Sequence, residues 1–129
     1  MDEATFKSRT RAIALRIVPL VDALPNSRAS EVIGRQLLRS ATSIGANYRA
    51  ACRSRSTADM ISRLSIVEEE ADETLYWLDL LIDSKKIESD GVKALRNQVP
   101  EIVSMTVASI KTRRARTIGD PKSKIQTPK

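Results

Sequence analysis

The chain has 129 residues, a formal net charge of +6, 41% apolar residues and only 3% aromatic residues. This length suits one domain with a buried core, and packing by Leu, Ile, Val and Ala favours helices over a sheet sandwich. No apolar run approaches the ~20 residues that span a bilayer, and the acidic start at Asp2-Glu3 is unlike a signal peptide. Cys52, the single cysteine, cannot form an internal disulfide. We therefore expect a cytoplasmic protein.

Charge is unevenly distributed along the chain. Residues 28–63 carry seven Lys or Arg against two Asp or Glu, whereas residues 64–90 carry two against nine. The last segment, residues 113–129, carries six against one. A basic segment thus precedes an acidic one, and a second basic segment closes the chain. Basic segments of this kind indicate an anionic binding partner as one possibility.

The first predicted helix runs from about Thr5 to Leu24. Pro19 lies inside it and should bend the helix or loosen its register, and the Pro25-Asn26-Ser27 segment is a stop and restart signal. The apolar residues of the first helix share one face at helical spacing: Phe6, Ile13, Ile17, Leu20, Val21 and Leu24.

The second helix has the clearest pattern. Gly34 and Gly45 lie within it; they weaken a helix intrinsically but permit the close approach of a neighbour. Its apolar residues recur at steps of three or four on one narrow face: Ile33, Leu37, Ala41, Ile44, Tyr48 and Cys52.

The third helix is predicted to begin after a cap, Ser56-Thr57-Ala58-Asp59, in which a hydroxyl is followed three residues later by an acid. It extends to about Ile82. Its main apolar face comprises Met60, Ile61, Leu64, Val67, Ala71, Leu75, Leu78 and Ile82.

A second apolar strip lies on the same helix. It contains Ile66, Trp77 and Leu80, with Tyr76 beside them. A helix that is apolar on two sides is buried on two sides, and exposed strips of this kind usually mark interfaces. We predict self-association through this strip; coverage by the chain's own termini is the alternative.

The fourth helix is predicted from Ser89 or Asp90 to about Lys111, with a kink or local break at Pro100. Apolar periodicity fails from residue 113, so residues 113–129 are predicted to be a flexible basic tail. The apolar face of the fourth helix comprises Val92, Leu95, Val99, Ile102, Val103, Thr106 and Ile110. Four amphipathic helices with short connections predict an all-α, antiparallel up-down four-helix bundle over residues 1–112.

Residues for common catalytic chemistry are missing from the sequence. There is no histidine, the commonest general base and metal ligand, and no Gly-rich phosphate loop. Cys52 lies on an apolar helix face with no imidazole to activate it, which favours core packing. Carboxylates of the acidic run 68–73 radiate in different directions, so they cannot all converge on one ion. We expect neither an enzyme, nor a metal site, nor a cofactor.

A basic stripe follows the second helix opposite its apolar face. At 100° per residue its arginines fall within an arc of about 80°. We expect no acidic residue to lie between them on this face. Such a stripe would attract an anion, and phosphate suits the planar fork of arginine; plain solvated surface is the alternative. The candidate binding residues are Arg28, Arg35, Arg39, Arg49, Arg53 and, in the following connection, Arg55.

Glu68 falls inside the apolar arc of the third helix, with Asp72 and Asp79 at its edge. A carboxylate buried there is costly unless it is paired. We therefore predict a structural ion pair between Glu68 and an arginine of the second helix, or a contact with Asn47.

Several motifs resemble a bacterial family of four-helix bundle proteins, that of the 23S ribosomal RNA intervening sequences. They are Leu24-Pro25, the segment QLLRSATSIGAN from Gln36 to Asn47, and a third helix resembling residues 56–81. The resemblance covers roughly residues 6–112. Many members continue from the Asn with Ile-Ala-Glu-Gly, where this chain has Tyr48-Arg49-Ala50-Ala51, so an acid is exchanged for positive charge.

The resemblance implies a four-helix bundle that assembles into a ring, typically a homopentamer. The family also includes the accessory protein of diversity-generating retroelements, which binds nucleic acid and partners a reverse transcriptase through its basic surface.

Our leading hypothesis is a non-enzymatic homo-oligomer that binds RNA or DNA non-specifically through backbone phosphates, using the basic stripe and the tail. One alternative is a protein–protein adaptor, for example a reverse-transcriptase accessory subunit, whose basic face docks an acidic partner. In a third interpretation the acidic helix of a neighbouring subunit neutralises the stripe.

Overall fold

The architecture is all-α, as the sequence predicts. A computed structural model describes residues 2–88 and 90–119 and contains no strand within them. Over the described residues, no helix combines the length and the apolar character needed to cross a bilayer. The four helices are α1 (Glu3–Asp22), α2 (Arg28–Cys52), α3 (Thr57–Asp83) and α4 (Asp90–Gly119).

Side-chain caps fix the starts of the first three helices. The predicted cap at Ser56 is confirmed, because its hydroxyl accepts a hydrogen bond from the Asp59 N–H at 3.0 Å. Ser27 caps α2 in the same way, and the Asp2 carboxylate caps α1 at 2.7 Å. Each cap satisfies an N–H that the helix itself cannot. The cap at Asp2 explains why α1 starts earlier than its apolar pattern predicted.

Both internal prolines are accommodated without ending their helices. Pro19 lies in the last turn of α1, and its carbonyl still accepts the Ala23 N–H at 3.1 Å. Pro100 lies inside α4, which runs through it, so the predicted alternative of a local break there is wrong.

The predicted end of the fourth helix near Lys111 is also wrong. α4 continues to Gly119 and includes Arg113–Arg116, which the sequence assigned to the flexible tail. Arg and Ala are strong helix formers, so propensity extends this helix where the apolar pattern fades. Residues 120–129, the remainder of the predicted tail, lie outside the described residues.

The core is built from one buried face of each helix. α2 packs against both α1 and α3, α3 also packs against α4, and α1 touches α4 only lightly. On α3 the buried face contains Thr74 and Leu81, whereas Leu75 and Ile82 are half-buried. Leu64, Val67, Ala71 and Leu78 are buried as predicted, so the buried face is turned from the predicted one by only about 40°, less than half the step between neighbouring residues. Side chains with no exposure include Ile17, Leu37, Ala41, Ile44, Leu64, Val67, Leu78, Val99 and Ile102.

α1 and α2 approach each other closely, as the glycines of α2 predicted. A Cβ placed on Gly45 would lie 3.3 Å from Thr10 Oγ1, and one on Gly34 would lie 2.8 Å from Leu24 Cδ1. Near the start of α1 the Phe6 ring stacks on Tyr48, with centroids 4.0 Å apart. Small residues at these crossing points let the two backbones share one core.

The substitution Gly45→Val should therefore destabilise the fold, by about 1–3 kcal/mol, because the added methyl groups overpack the α1–α2 contact. Ala46→Val, on the exposed neighbouring position, is the matched control and should cost only roughly 0.5 kcal/mol of helix propensity. Urea unfolding followed by circular dichroism measures both. Equal losses in the two variants would contradict close packing at Gly45.

Candidate nucleic-acid interface

The six predicted binding residues all lie on the surface. Arg28, Arg35, Arg39, Arg49 and Arg53 are exposed along α2, and Arg55 is exposed in the connection to α3. The opposite side of α2 is buried at Leu37, Ala41 and Ile44. The arginines and the apolar residues therefore lie on opposite faces of α2, as the sequence predicted.

Arg39, in the middle of this face, is already engaged within the chain. Its guanidinium lies 3.3 Å from Glu70 Oε2 and forms a second, closer ion pair with Glu73. Both carboxylates belong to α3, and the Glu70 side chain is only 18% exposed. A cation held by two carboxylates offers little net charge to a ligand. Arg39 thus joins α2 to α3 and is neutralised within the chain.

Arg35 is also paired, and its partner corrects one prediction. Its guanidinium lies 2.9 Å from Glu31 Oε1, with both side chains largely exposed. Glu31 has the same angular position on α2 as Arg49, because 18 residues make five full turns. The expectation that no acid interrupts the stripe is therefore wrong.

The remaining stripe arginines are Arg28, Arg49, Arg53 and Arg55. Within the described ranges none of the four forms an ion pair. Arg28 lies at the start of α2, whereas the other three lie at or beyond its last turn. The unneutralised charge of this face is therefore concentrated where α2 ends.

The predicted ion pair of Glu68 is not formed. Glu68 is half-buried, and no ion pair among the described residues includes it. The Asn47 amide instead donates to the Ser43 carbonyl at 2.8 Å. Glu68 lies on the same side of α3 as Asp79, only about 20° from it, whereas Glu70 and Glu73 lie on the other side of the buried face and reach α2.

A buried hydroxyl pair joins α2 to α3. Ser40 and Thr74 are fully buried, and the Thr74 hydroxyl lies 3.0 Å from Ser40 Oγ. Sequence reasoning missed this pair. The signal in the sequence was spacing, because both positions continue the apolar pattern of their helices. A polar side chain at such a buried position needs a hydrogen-bond partner.

Asp79, predicted at the edge of the α3 apolar arc, joins α3 to α4. Its two carboxylate oxygens accept hydrogen bonds from Arg96, at 2.9 Å from Nε and 3.1 Å from Nη2. This two-bond geometry raises the pKa of Arg96. Asp79 therefore has a structural partner inside the chain, whereas Asp72 is exposed.

The second apolar strip of α3 is only partly exposed. Ile66 is 38% exposed and Tyr76 59% exposed, whereas Trp77 and Leu80 are half-buried. The Trp77 indole lies within 3.4 Å of Glu73 Oε2, the same carboxylate oxygen that binds Arg39. A charged network therefore borders the strip, and its free apolar area centres on Ile66 and Tyr76.

Cys52 packs against the core at the end of α2, in agreement with the packing role that the sequence favoured. Burial raises the pKa of its thiol and so disfavours the reactive thiolate. Among the described residues no group of three or more Cys, Asp or Glu side chains is arranged to hold a metal ion.

Comparison with known proteins places this arrangement in context. A family model described as 23S rRNA-intervening sequence protein matches residues 3–108. The chain is also similar to a protein of unknown function from the S23 ribosomal protein family of Bacteroides thetaiotaomicron VPI-5482, known from a crystal structure. The two are 40% identical with a TM-score of 0.79, over 86% of this chain and 99% of the other. No curated protein matches significantly.

The substitution Arg39→Gln should lower the free energy of unfolding by up to about 1 kcal/mol, because it leaves Glu70 and Glu73 to repel each other. The loss should shrink in high salt, which screens that repulsion. Arg35→Gln, which removes one exposed pair within a helix, is the control and should cost about 0.3–0.5 kcal/mol. Urea unfolding at low and high salt tests this; a salt-independent loss at Arg39 would contradict it.

Proposed function

This chain belongs to the 23S rRNA-intervening sequence protein family, and we propose that it is a non-enzymatic homo-oligomer that binds nucleic acid through backbone phosphates. One observation carries the proposal. Arg49, Arg53 and Arg55 are exposed and form no ion pair within the described residues, whereas Arg35 and Arg39 are neutralised. Arginine suits this role because its planar fork can donate two parallel hydrogen bonds to one phosphate.

The placement of the aromatic residues supports recognition of the backbone rather than of bases. Phe6 and Tyr48 stack on each other in the core, and the Trp77 indole is half-buried beside Glu73. Tyr76 is the fourth and last aromatic residue of the chain, and it lies on α3 with its ring edge-on against Trp77, 4.9 Å between centroids. Binding of single-stranded bases usually needs a row of exposed aromatic rings. Sequence-independent contacts to phosphates fit this surface better.

The proposal includes an up-down order of the helices and a cytoplasmic location. Phe6 near the start of α1 contacts Tyr48 near the end of α2, and Leu24 just beyond the end of α1 lies against Gly34 near the start of α2. These contacts support opposite directions for neighbouring helices. A reducing compartment suits the single cysteine, whose thiol is partly buried.

Assembly into a ring, a homopentamer by resemblance to the family, is a further part of the proposal. Ile66 and Tyr76 support it, because they expose apolar surface on a helix that is already buried on its other side. We propose these two side chains as the centre of the subunit contact, with Trp77 and Leu80 at its margin.

An adaptor role remains the second candidate, and one observation favours it. Arg39 shows that this face can hold two carboxylates at once. An acidic protein surface, such as that of a reverse transcriptase, could use the unpaired arginines in the same way. Nuclease treatment separates the two candidates, because an adaptor complex would survive it.

The double variant Arg53→Gln/Arg55→Gln should weaken binding of a short RNA or DNA duplex about tenfold or more and reduce the salt slope by about 2, since two phosphate contacts are lost. Arg35→Gln/Arg39→Gln is the matched control with the same change in charge. It should weaken binding much less, because both arginines are already paired. Mobility-shift titrations at two salt concentrations measure these effects.

Two results would contradict the proposal. One is the absence of any shift by the unmodified protein at low salt. The other is an equal loss in the two double variants, which would show that binding follows net charge and not the unpaired arginines.

The variant Ile66→Glu/Tyr76→Glu should convert the assembled protein to a monomer, because carboxylates are costly to bury in an apolar contact. Leu15→Glu/Val18→Glu is the control, since these α1 side chains are also exposed, at 55% and 43%. Sedimentation velocity gives the masses. A monomeric unmodified protein, or dissociation of the control alone, would contradict the assigned interface.

A further inference from the structure

The end of the bundle where α2 stops also holds the last turns of α4. Phe6 connects them: its ring stacks on Tyr48 of α2, and it lines a surface cleft together with Thr112, Arg113 and Arg116 of α4. Arg113 is close enough to Tyr48 to oppose the rise in the pKa of that phenol caused by burial. The arginines that follow each other at the end of α4 thus lie at the same end as Arg49, Arg53 and Arg55.

Positive charge is concentrated at this end, which we call the basic end and define as residues 2–7, 49–63 and 111–116. It carries nine Lys or Arg against three Asp or Glu. The opposite end, residues 16–35 and 79–96, carries seven against six. The chain is not uniformly basic, so attraction of a polyanion should be directed to one end.

The few acids of the basic end are already occupied. Asp2 caps α1, Glu3 lies 3.0 Å from Lys7, and Asp59 lies 3.2 Å from Arg63. Six exposed cations remain that form no ion pair with any described residue: Arg49, Arg53, Arg55, Lys111, Arg114 and Arg116. Half of them come from α4.

Nucleic acid suits this end better than a membrane surface does. Five of the six cations are arginines, which favour bidentate contact with phosphate. The exposed large apolar side chains, which a membrane-binding surface would use as anchors, lie elsewhere. In the described part of the chain they are Leu15, Val18, Val32, Ile66 and Tyr76.

We propose that the basic end is the nucleic-acid site, and that the last turns of α4 supply half of its phosphate contacts. This inference rests on the proposed function and sharpens it, because it assigns binding to one end of the bundle instead of to the length of α2. It also gives a role to the part of α4 that extends beyond the family match, which ends at residue 108.

Three triple variants of the full chain test the proposal, each removing three positive charges. They are Lys111→Gln/Arg114→Gln/Arg116→Gln on α4, Arg49→Gln/Arg53→Gln/Arg55→Gln at the end of α2, and Arg28→Gln/Lys85→Gln/Lys93→Gln at the opposite end as control. Fluorescence anisotropy with a labelled RNA duplex, and with a DNA duplex of equal length, gives affinities at about 50 and about 200 mM salt. Circular dichroism checks folding.

The α4 and α2 variants should each lose about tenfold or more in affinity and reduce the salt slope by about 2 to 3, while the control changes affinity by less than about threefold. If the α4 variant behaves like the control and the α2 variant is impaired, this inference fails and the proposed function stands. If the unmodified protein binds neither duplex, both fail. Tight binding to anionic phospholipid vesicles without binding to either duplex would also overturn the inference.

Discussion

The double burial of α2 is the constraint from which the rest of the structure follows. This helix packs against both α1 and α3, and its side chains Leu37, Ala41 and Ile44 have no exposed surface. Glycines let α1 approach closely on one side, and the Ser40–Thr74 hydroxyl pair lies in the contact on the other. Only one face of α2 is left for solvent. Every arginine of the helix therefore points outward, and acids on α3 and on α2 itself decide which of them are neutralised by an ion pair.

These acids divide the outer face of α2 into a neutralised part and a part with unpaired arginines. In the middle, Glu70 and Glu73 of α3 hold Arg39, and Glu31 holds Arg35. Beyond the last turn, no acid of the described residues approaches Arg53 or Arg55 closely enough to pair. Exposed ion pairs contribute little to stability but reduce the field that a ligand experiences. The position of the acids on α3 thus concentrates the field of the protein at one end of the bundle.

Glu73 connects the charge of α2 with the apolar strip of α3. One carboxylate oxygen faces both Arg39 and the Trp77 indole. Trp77 is half-buried beside this network, and Ile66 and Tyr76 are the exposed side chains of the strip. Subunit contact through that surface would lie on α3, beside the network, so assembly and nucleic-acid binding would use different faces of one bundle.

The sequence by itself determined the four helices, the cap at Ser56, the apolar face of α2 and the outward direction of its arginines. These features depend on local periodicity and capping, which neighbouring residues encode. Apolar periodicity alone places the end of α4 too early, because helix propensity carries this helix beyond its last apolar turn. Only the tertiary structure decided which acids pair with which arginines, because it sets which flank of α3 borders α2, and that flank carries Glu70 and Glu73 rather than Glu68. It alone brought the ends of α2 and α4 together, since these ends are about sixty residues apart along the chain and meet only because both helices pack against α1 and α3.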